Sequence, residues 1–465
     1  MNFDFIPAAT RAAGLGALMK GAGKLLQFVP IPQPTLLVGP GASGRLGQAV
    51  AGFGHRKVLI VTDGVIHKLG LLKNLTDALT AGGTPWVVFD EITPDAPIPL
   101  IERGIAFHRE HGCDAIVAFG GGSSMDASKA IAVSIANPGK SLRALAGYFK
   151  GLRTPEPIYA VPTTAGTGSE VTVAAVISDP ERQSKLVIVD PRMVPKMAAL
   201  DPSLMTSLPP HITAATGIDA LTHAVESFVG HWATPYTDGM GLAAVGLIFE
   251  NLRTACTDGK NLQAREKMLL ASTYAGIAFT RANVGYVHAI AHQFGGRYHT
   301  PHGLANAIML PHVLRFSAPV ITDRLAQLAV RAKVGVEGEP EDELADKFIA
   351  AVEQLSRDVG IPTTLAALKE ADIPALAKAA CHEAHTGYPV PRYLTQAGCE
   401  ALIRLVLPPP AATTARAAAS PSASSASLAS SAPSAPSAPS TTPRKASKPR
   451  TARAKARPTK PEIKT

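Results

Sequence analysis

Six residues in two short stretches carry the side chains best suited to chemistry. Residues 285–303 hold His288, His292, His299 and His302, and residues 217–226 hold Asp219 and His223. Asp219 with His223, and His288 with His292, are each spaced i, i+4, which puts both members on one face of a helix. A lone helical histidine is usually a satisfied core or surface residue, so the argument rests on the pairing. Neutral imidazole and carboxylate suit Zn²⁺ or Fe²⁺, and two such pairs can converge on one ion. Spacing does not say which of His288 and His292 would be the ligand. Gly295 and Gly296 are expected to break the helix and fold the chain back before His302.

The elements that must position these groups fall into two patterns. Short apolar runs at 35–38, 57–63, 85–89, 115–119 and 158–162 read as strands, the first of them buried and the second ending in Asp63. Helix-length segments such as 98–111 lie between them, so the pattern is that of a parallel sheet covered on both faces. Residues 171–178 and 185–189 suggest a hairpin. After Pro209 helical periods dominate, at 212–229, 239–254, 262–280, 320–334 and 341–359. The expected organisation is an N-terminal extension (1–30), an α/β dinucleotide-binding domain (31–209), an all-helical metal-binding domain (210–407) and a disordered tail (408–465).

Two glycine runs compete for a phosphate. Gly39, Gly41 and Gly44 form a G-x-G-x-x-G after the first strand, with Asp63 about twenty residues on, where a ribose-binding acid is expected. Gly120, Gly121 and Gly122 also follow a strand and open a helix. Lacking Cβ atoms, they let backbone N–H groups and the helix dipole meet a pyrophosphate, and Ser123 adds a hydroxyl. Spacing alone does not choose between them. A carboxylate at Asp63 repels a 2′-phosphate and so favours NAD over NADP; the competing reading makes it the cap of the next helix.

Composition narrows the class. The chain has 465 residues and a net charge of +9, but the excess is local. Ten of the 45 basic residues lie beyond residue 407 against a single acid, Glu462, which leaves the preceding body with 35 of each sign. That tail is Ala, Ser, Pro and Thr followed by Lys and Arg, and buries too little apolar surface to offset its chain entropy. Lys445 to Lys464 could contact polyanions through counterion release, but without interleaved aromatics base stacking is excluded. Cys113, Cys256, Cys381 and Cys399 are dispersed, as structural thiols of a reducing compartment. Cys381, His382 and His385 lack the second ligand pair that a metal site needs. No apolar run reaches the roughly 18 residues of a membrane span, and residues 1–30 lack a signal-peptide layout. They read as a short amphipathic helix packed on the body, and the location expected is the cytoplasm.

These stretches, with Pro162-Thr-Thr-Ala-Gly-Thr-Gly-Ser-Glu170 and Gly120-Gly-Gly-Ser-Ser-Met-Asp-Ala-Ser-Lys129, closely resemble the iron-dependent (group III) alcohol dehydrogenases from about Pro34 to about Leu407. The resemblance implies a Rossmann-like α/β domain followed by an all-α domain, the dehydroquinate synthase-like architecture. It implies reversible hydride transfer between NAD(H) and a small alcohol or aldehyde, with Fe²⁺, or Zn²⁺, lowering the pKa of the alcohol. It assigns the metal to Asp219, His223, His288 and His302, leaving His292 near the substrate as a proton relay and His299 as a loop residue. It assigns the cofactor to Asp63, Gly121, Gly122, Ser123, Asp126, Thr163, Thr164, Thr172 and Lys185, and leaves residues 39–44 as a tight turn. It also implies a homodimer or larger homo-oligomer. Asp95 departs from the Asn common at its position, and the tail has no family counterpart. Glycerol dehydrogenases, dehydroquinate synthase-like lyases and maleylacetate reductases share the scaffold, but the intact ligand set favours an alcohol dehydrogenase.

Overall fold

The computed structural model describes residues 29–182 and 184–409, together with Gly14, Ala17, Met19, Gly21 and Gly23. Most of the expected N-terminal extension, and the expected disordered tail from residue 410 on, lie outside the described residues.

Among the described residues there are nine strands: β1 (Thr35–Val38), β2 (Val58–Val61), β3 (Trp86–Phe89), β4 (Ala115–Gly120), β5 (Gly147–Tyr148), β6 (Ile158–Pro162), β7 (Ala174–Asp179), β8 (Ser184–Val189) and β9 (Met197–Leu200). The helices among them are α1 (Ala42–Gly52), α2 (Gly64–Lys68), α3 (Lys73–Ala81), α4 (Ile98–His111), α5 (Gly122–Ala136) and α6 (Leu142–Leu145). From residue 210 on, helices α7 (Pro210–Val229), α8 (Pro235–Thr257), α9 (Leu262–Ala282), α10 (Tyr286–Tyr298) and α11 (His302–Ser317) follow. The last four are α12 (Thr322–Arg331), α13 (Glu341–Asp358), α14 (Ile373–Gly387) and α15 (Gln396–Arg404). The switch from alternating strand and helix to helix alone thus falls between Leu200 and Pro210.

Six strands form one parallel sheet in the order β1-β9-β6-β4-β2-β3. The strands are almost wholly apolar, with Val, Ile, Leu and Ala predominating, because helices cover both faces. Successive residues alternate between two cores: Leu59, Val61, Ile116 and Ala118 on one side, Val58, Ile60, Ala115 and Val117 on the other. β1 is the exception to the sequence expectation. It lies at the sheet edge with a partly exposed pattern, not buried, because only β9 pairs with it. β7 and β8 pair antiparallel, as expected for a hairpin, and β5 joins β8 in a second, small sheet.

The crossovers run from β2 to β3 on one side and return to β4 on the other, so the winding reverses between β2 and β4. In open α/β sheets a ligand binds outside the carboxyl ends of the strands at such a point. The register Val61↔Ala118 sets Asp63 and Gly120, each two residues further on, at that edge. The other glycine run has a different fate. The N-terminus of α1 is already occupied by the protein's own anion: Asp201 accepts from Gly41 N at 3.2 Å, Ser43 N at 3.1 Å and Ser43 Oγ at 2.8 Å. Residues 39–44 therefore make a structural turn.

Replacing Asp201 by alanine removes this buried acceptor and is expected to lower stability by about 2–3 kcal/mol. Chemical unfolding measures that loss, and NAD affinity is expected to stay as in the parent chain.

Candidate metal centre

Asp219, His223 and Glu226 project from one face of α7, at spacings i, i+4 and i+7. His288 and His292 lie on α10, and His302 opens α11. The chain reverses between these two helices at His299–Pro301, where His299 takes a left-handed conformation with φ 55°. This corrects the expectation of a Gly-Gly break: Gly295 and Gly296 remain helical, and the turn comes three residues later. Gly303 lets α11 approach α7, since a Cβ there would stand 2.6 Å from Ala215 O.

The result is a cluster. One ligand atom from each of Asp219, His223, His288 and His302 lies within 4.8 Å of the other three. Asp219 Oδ1 is 3.7 Å from His302 Nε2, and the His223 and His288 rings are 4.6 Å apart. Four donors held tetrahedrally at about 2.1 Å from one ion lie about 3.4 Å apart, so binding draws the widest pair in by roughly an ångström, within reach of side-chain rotation.

The surroundings fit a cation. Burial lowers His223 to about 4 and holds His288 and His302 well below the usual imidazole range, so all three rings are neutral donors. Burial also raises the Asp219 carboxyl, the ordinary cost of an anion kept from water without a counter-charge. Asn306 Nδ2 stands where the lone pairs meet, 2.7 Å from Asp219 Oδ1, 3.2 Å from His288 Nε2 and 3.1 Å from His302 Nε2. Its Oδ1 is buried without a partner. The two hydrogens of one amide cannot serve all the lone pairs that one carboxylate and three unprotonated imidazoles aim at it, and that surplus of lone pairs is the composition of a divalent-metal site.

Three supporting residues escaped the sequence reading. Glu226 Oε2 accepts from His288 Nδ1 at 2.6 Å and Oε1 from Val287 N at 2.8 Å, fixing the tautomer that presents Nε2. Burial lifts that carboxyl to about 7. Asn306 is four residues past His302, and Glu226 three past His223, so helical spacing from a known ligand was the available signal. Glu383 gave none, because it comes from α14: its Oε1 lies 2.6 Å from His292 Nδ1, and Tyr388 OH donates to the same oxygen at 2.5 Å. His385, beside it, meets Tyr286 OH at 2.7 Å.

One cavity of about 1890 Å³ joins these ligands to the sheet edge. Small-ligand sites commonly measure about 300–1,000 Å³, so this one has room for a dinucleotide and a second molecule. Gly122, Ser123, Asp126, Thr164, Thr172, Lys185 and His292 all line it. No side chain caps the N-terminus of α5 at Gly121, which leaves its N–H groups and dipole for an anion. Gly122 has no room for a side chain, as a Cβ would lie 2.7 Å from Thr167 Cγ2.

Other predicted cofactor residues are placed less directly. Thr163 is buried beside the cavity without lining it. Asp63 is also outside the lining; its Oδ1 caps α2 through Val65 N and Ile66 N, both at 2.9 Å. Asp126 accepts from Ser169 Oγ at 2.7 Å and Val176 N at 3.0 Å, so its two oxygens staple α5 to Ser169 and to β7. Lys129, buried and lowered to about 8 by desolvation, donates to Thr172 Oγ1 at 2.8 Å and to the backbone of Ser169, Thr172 and Ala174. Asp95 pairs with Lys185 at 2.5 Å, while its N–H donates to Ser123 Oγ at 3.2 Å.

Two family models match the chain: residues 33–202 match "Iron-containing alcohol dehydrogenase", and residues 213–407 match "Fe-containing alcohol dehydrogenase family, C-terminal". Lactaldehyde reductase of Escherichia coli is 39% identical over 356 residues, covering 76% of this chain and 93% of that protein. NAD-dependent methanol dehydrogenase of Bacillus methanolicus is 37% identical over 365 residues, covering 77% and 94%. The crystal structure of a 1,3-propanediol oxidoreductase superposes with a TM-score of 0.78 at 38% identity, covering 82% of this chain and all of that one.

His302→Ala is expected to abolish stoichiometric metal while the circular dichroism of the fold persists. Glu226→Gln should weaken metal affinity by about 10–100-fold, the usual cost of losing a carboxylate behind a ligating histidine; metal analysis after equilibrium dialysis measures both. Gly122→Val should abolish NAD binding in calorimetry with metal content unchanged.

Proposed function

The chain belongs to the iron-containing alcohol dehydrogenase family, and on that footing we propose that it transfers hydride reversibly between NAD(H) and a small alcohol or aldehyde. The observation that carries this reading is the single cavity with a donor cluster on one wall and a bare helix N-terminus on another. When bound, the divalent metal polarises the substrate oxygen and NAD exchanges the hydride.

In this reading Asp219, His223, His288 and His302 hold the metal, with Glu226 and Asn306 orienting them. The N-terminus of α5 at Gly121, Gly122 and Ser123 takes the pyrophosphate. Asp63, at the sheet edge, keeps Oδ2 for a ribose hydroxyl while Oδ1 caps α2, so the two roles foreseen for it are compatible. Asp126 and Lys129 act by positioning the loop that carries Thr172. Thr163 sits behind Thr164 and anchors the loop to Gly120 O through its own N–H at 3.0 Å. His292 donates Nδ1–H to Glu383, which leaves Nε2 to accept the proton released by the alcohol.

Assembly into a homodimer or larger oligomer, and contact of the basic tail with polyanions, are carried forward as proposals. So is a cytoplasmic location, supported by four buried free cysteines. Among the described residues no helix is long and apolar enough to cross a membrane.

The test is NADH formation from a panel of primary alcohols by iron-loaded protein, before and after chelation. Removing the metal is expected to abolish turnover, and Fe²⁺ to restore it, while NAD still binds. Full turnover after exhaustive chelation would sink the reading.

A further inference from the structure

The cavity continues past the ligands. Phe279 stacks on His223 with ring centroids 4.2 Å apart. Ala282 follows three residues later on α9, and so shares that side of the helix. It is buried in a small cluster of its own with Met19 and Trp232. Trp232 Nε1 donates to Met19 O at 2.6 Å. Gly23 lies so close to the indole that a Cβ would stand 2.3 Å from Trp232 Cδ1.

Beside this mooring, Val29, Pro30, Ile31 and Gln33 line the cavity together with Trp232 and Tyr236. Two contacts hold them there. Arg281 donates to Ile31 O at 3.1 Å with its guanidinium 5.5 Å from the centre of the Tyr236 ring, and Gln33 Nε2 donates to Tyr236 OH. Residues 29–32 precede residue 33, where the matched family region begins. This end of the cavity is therefore built partly by residues just ahead of that region, tied to the same helix that delivers Phe279 to the ligands.

We infer that residues 29–33, moored by Met19 and Gly23 on Trp232, are a specificity wall that limits how long an apolar tail the alcohol or aldehyde can carry. Val29, Pro30 and Ile31 present no charge, so the wall selects by length and shape. A polar tail finds no partner on these three side chains. The inference rests on the cavity being the alcohol-binding site proposed above.

Two full-length, iron-loaded variants test it. Gly23→Val drives the mooring off Trp232, and Ile31→Ala enlarges the cavity with the mooring intact. The measurement is kcat/KM with NAD for 1-octanol, divided by kcat/KM for the shortest primary alcohol the enzyme oxidises. A rise of about tenfold or more in that ratio is expected, the scale on which a few methylenes discriminate in an apolar pocket. A rise in either variant supports the wall. An unchanged ratio in both, including an equal loss on every alcohol, overturns it and marks the segment as structural only. The two readings fail separately: parent enzyme that oxidises no primary alcohol defeats the proposed function, whereas active parent with unchanged ratios defeats only the wall.

Discussion

The constraint on which the rest depends is the cost of gathering one carboxylate and three imidazoles at a single point, with Asp219, His223 and His288 buried and His302 at the cavity surface. Their converging lone pairs outnumber the hydrogens that the one neighbouring amide supplies. Burial holds the rings neutral and lifts Asp219, and the nearest polar hydrogen is the amide of Asn306. A fold tolerates such an arrangement only if its surroundings fix every member. Here three helices do so: α7 packs against α11 through Gly303, and Glu226 ties α7 to the start of α10.

The sheet solves a complementary problem. Parallel strands end on one edge, and the winding reverses between β2 and β4, so Asp63, Gly120 and the N-terminus of α5 meet without any long loop. Asp126 and Lys129 then extend that rigidity outward. Their side chains satisfy the backbone of residues 169–176 from inside the protein, so the cavity wall between sheet edge and donor cluster is held by buried polar groups. One helix, α5, thus offers its N-terminus to the cavity and uses its second turn to brace the opposite side.

Much of this was legible in the chain. The i, i+4 pairs placed Asp219 with His223 and His288 with His292 on common helix faces, and the alternating apolar runs announced a parallel sheet. What spacing left open is instructive. Both glycine runs have the residues of a phosphate loop, and only the tertiary structure shows that one of them is already filled by Asp201, a residue far along the chain. His288 and His292 are equivalent by spacing, yet Glu226 orients one toward the donor cluster and Glu383 engages the other. The turn before His302 was misplaced because glycine permits a break without compelling one; a left-handed His299 makes it instead.

The sequence by itself determined which chemistry is available: imidazole, carboxylate and glycine at helical and strand spacings, with the surplus charge confined to the last stretch. Local periodicity suffices for that, because side-chain direction within one element follows from its geometry. Only the tertiary structure decided which groups share a point, since that depends on contacts between helices distant in the chain. Glu226 against His288, Glu383 against His292 and Asp201 against Ser43 are all of this kind, and no spacing within a single element encodes them.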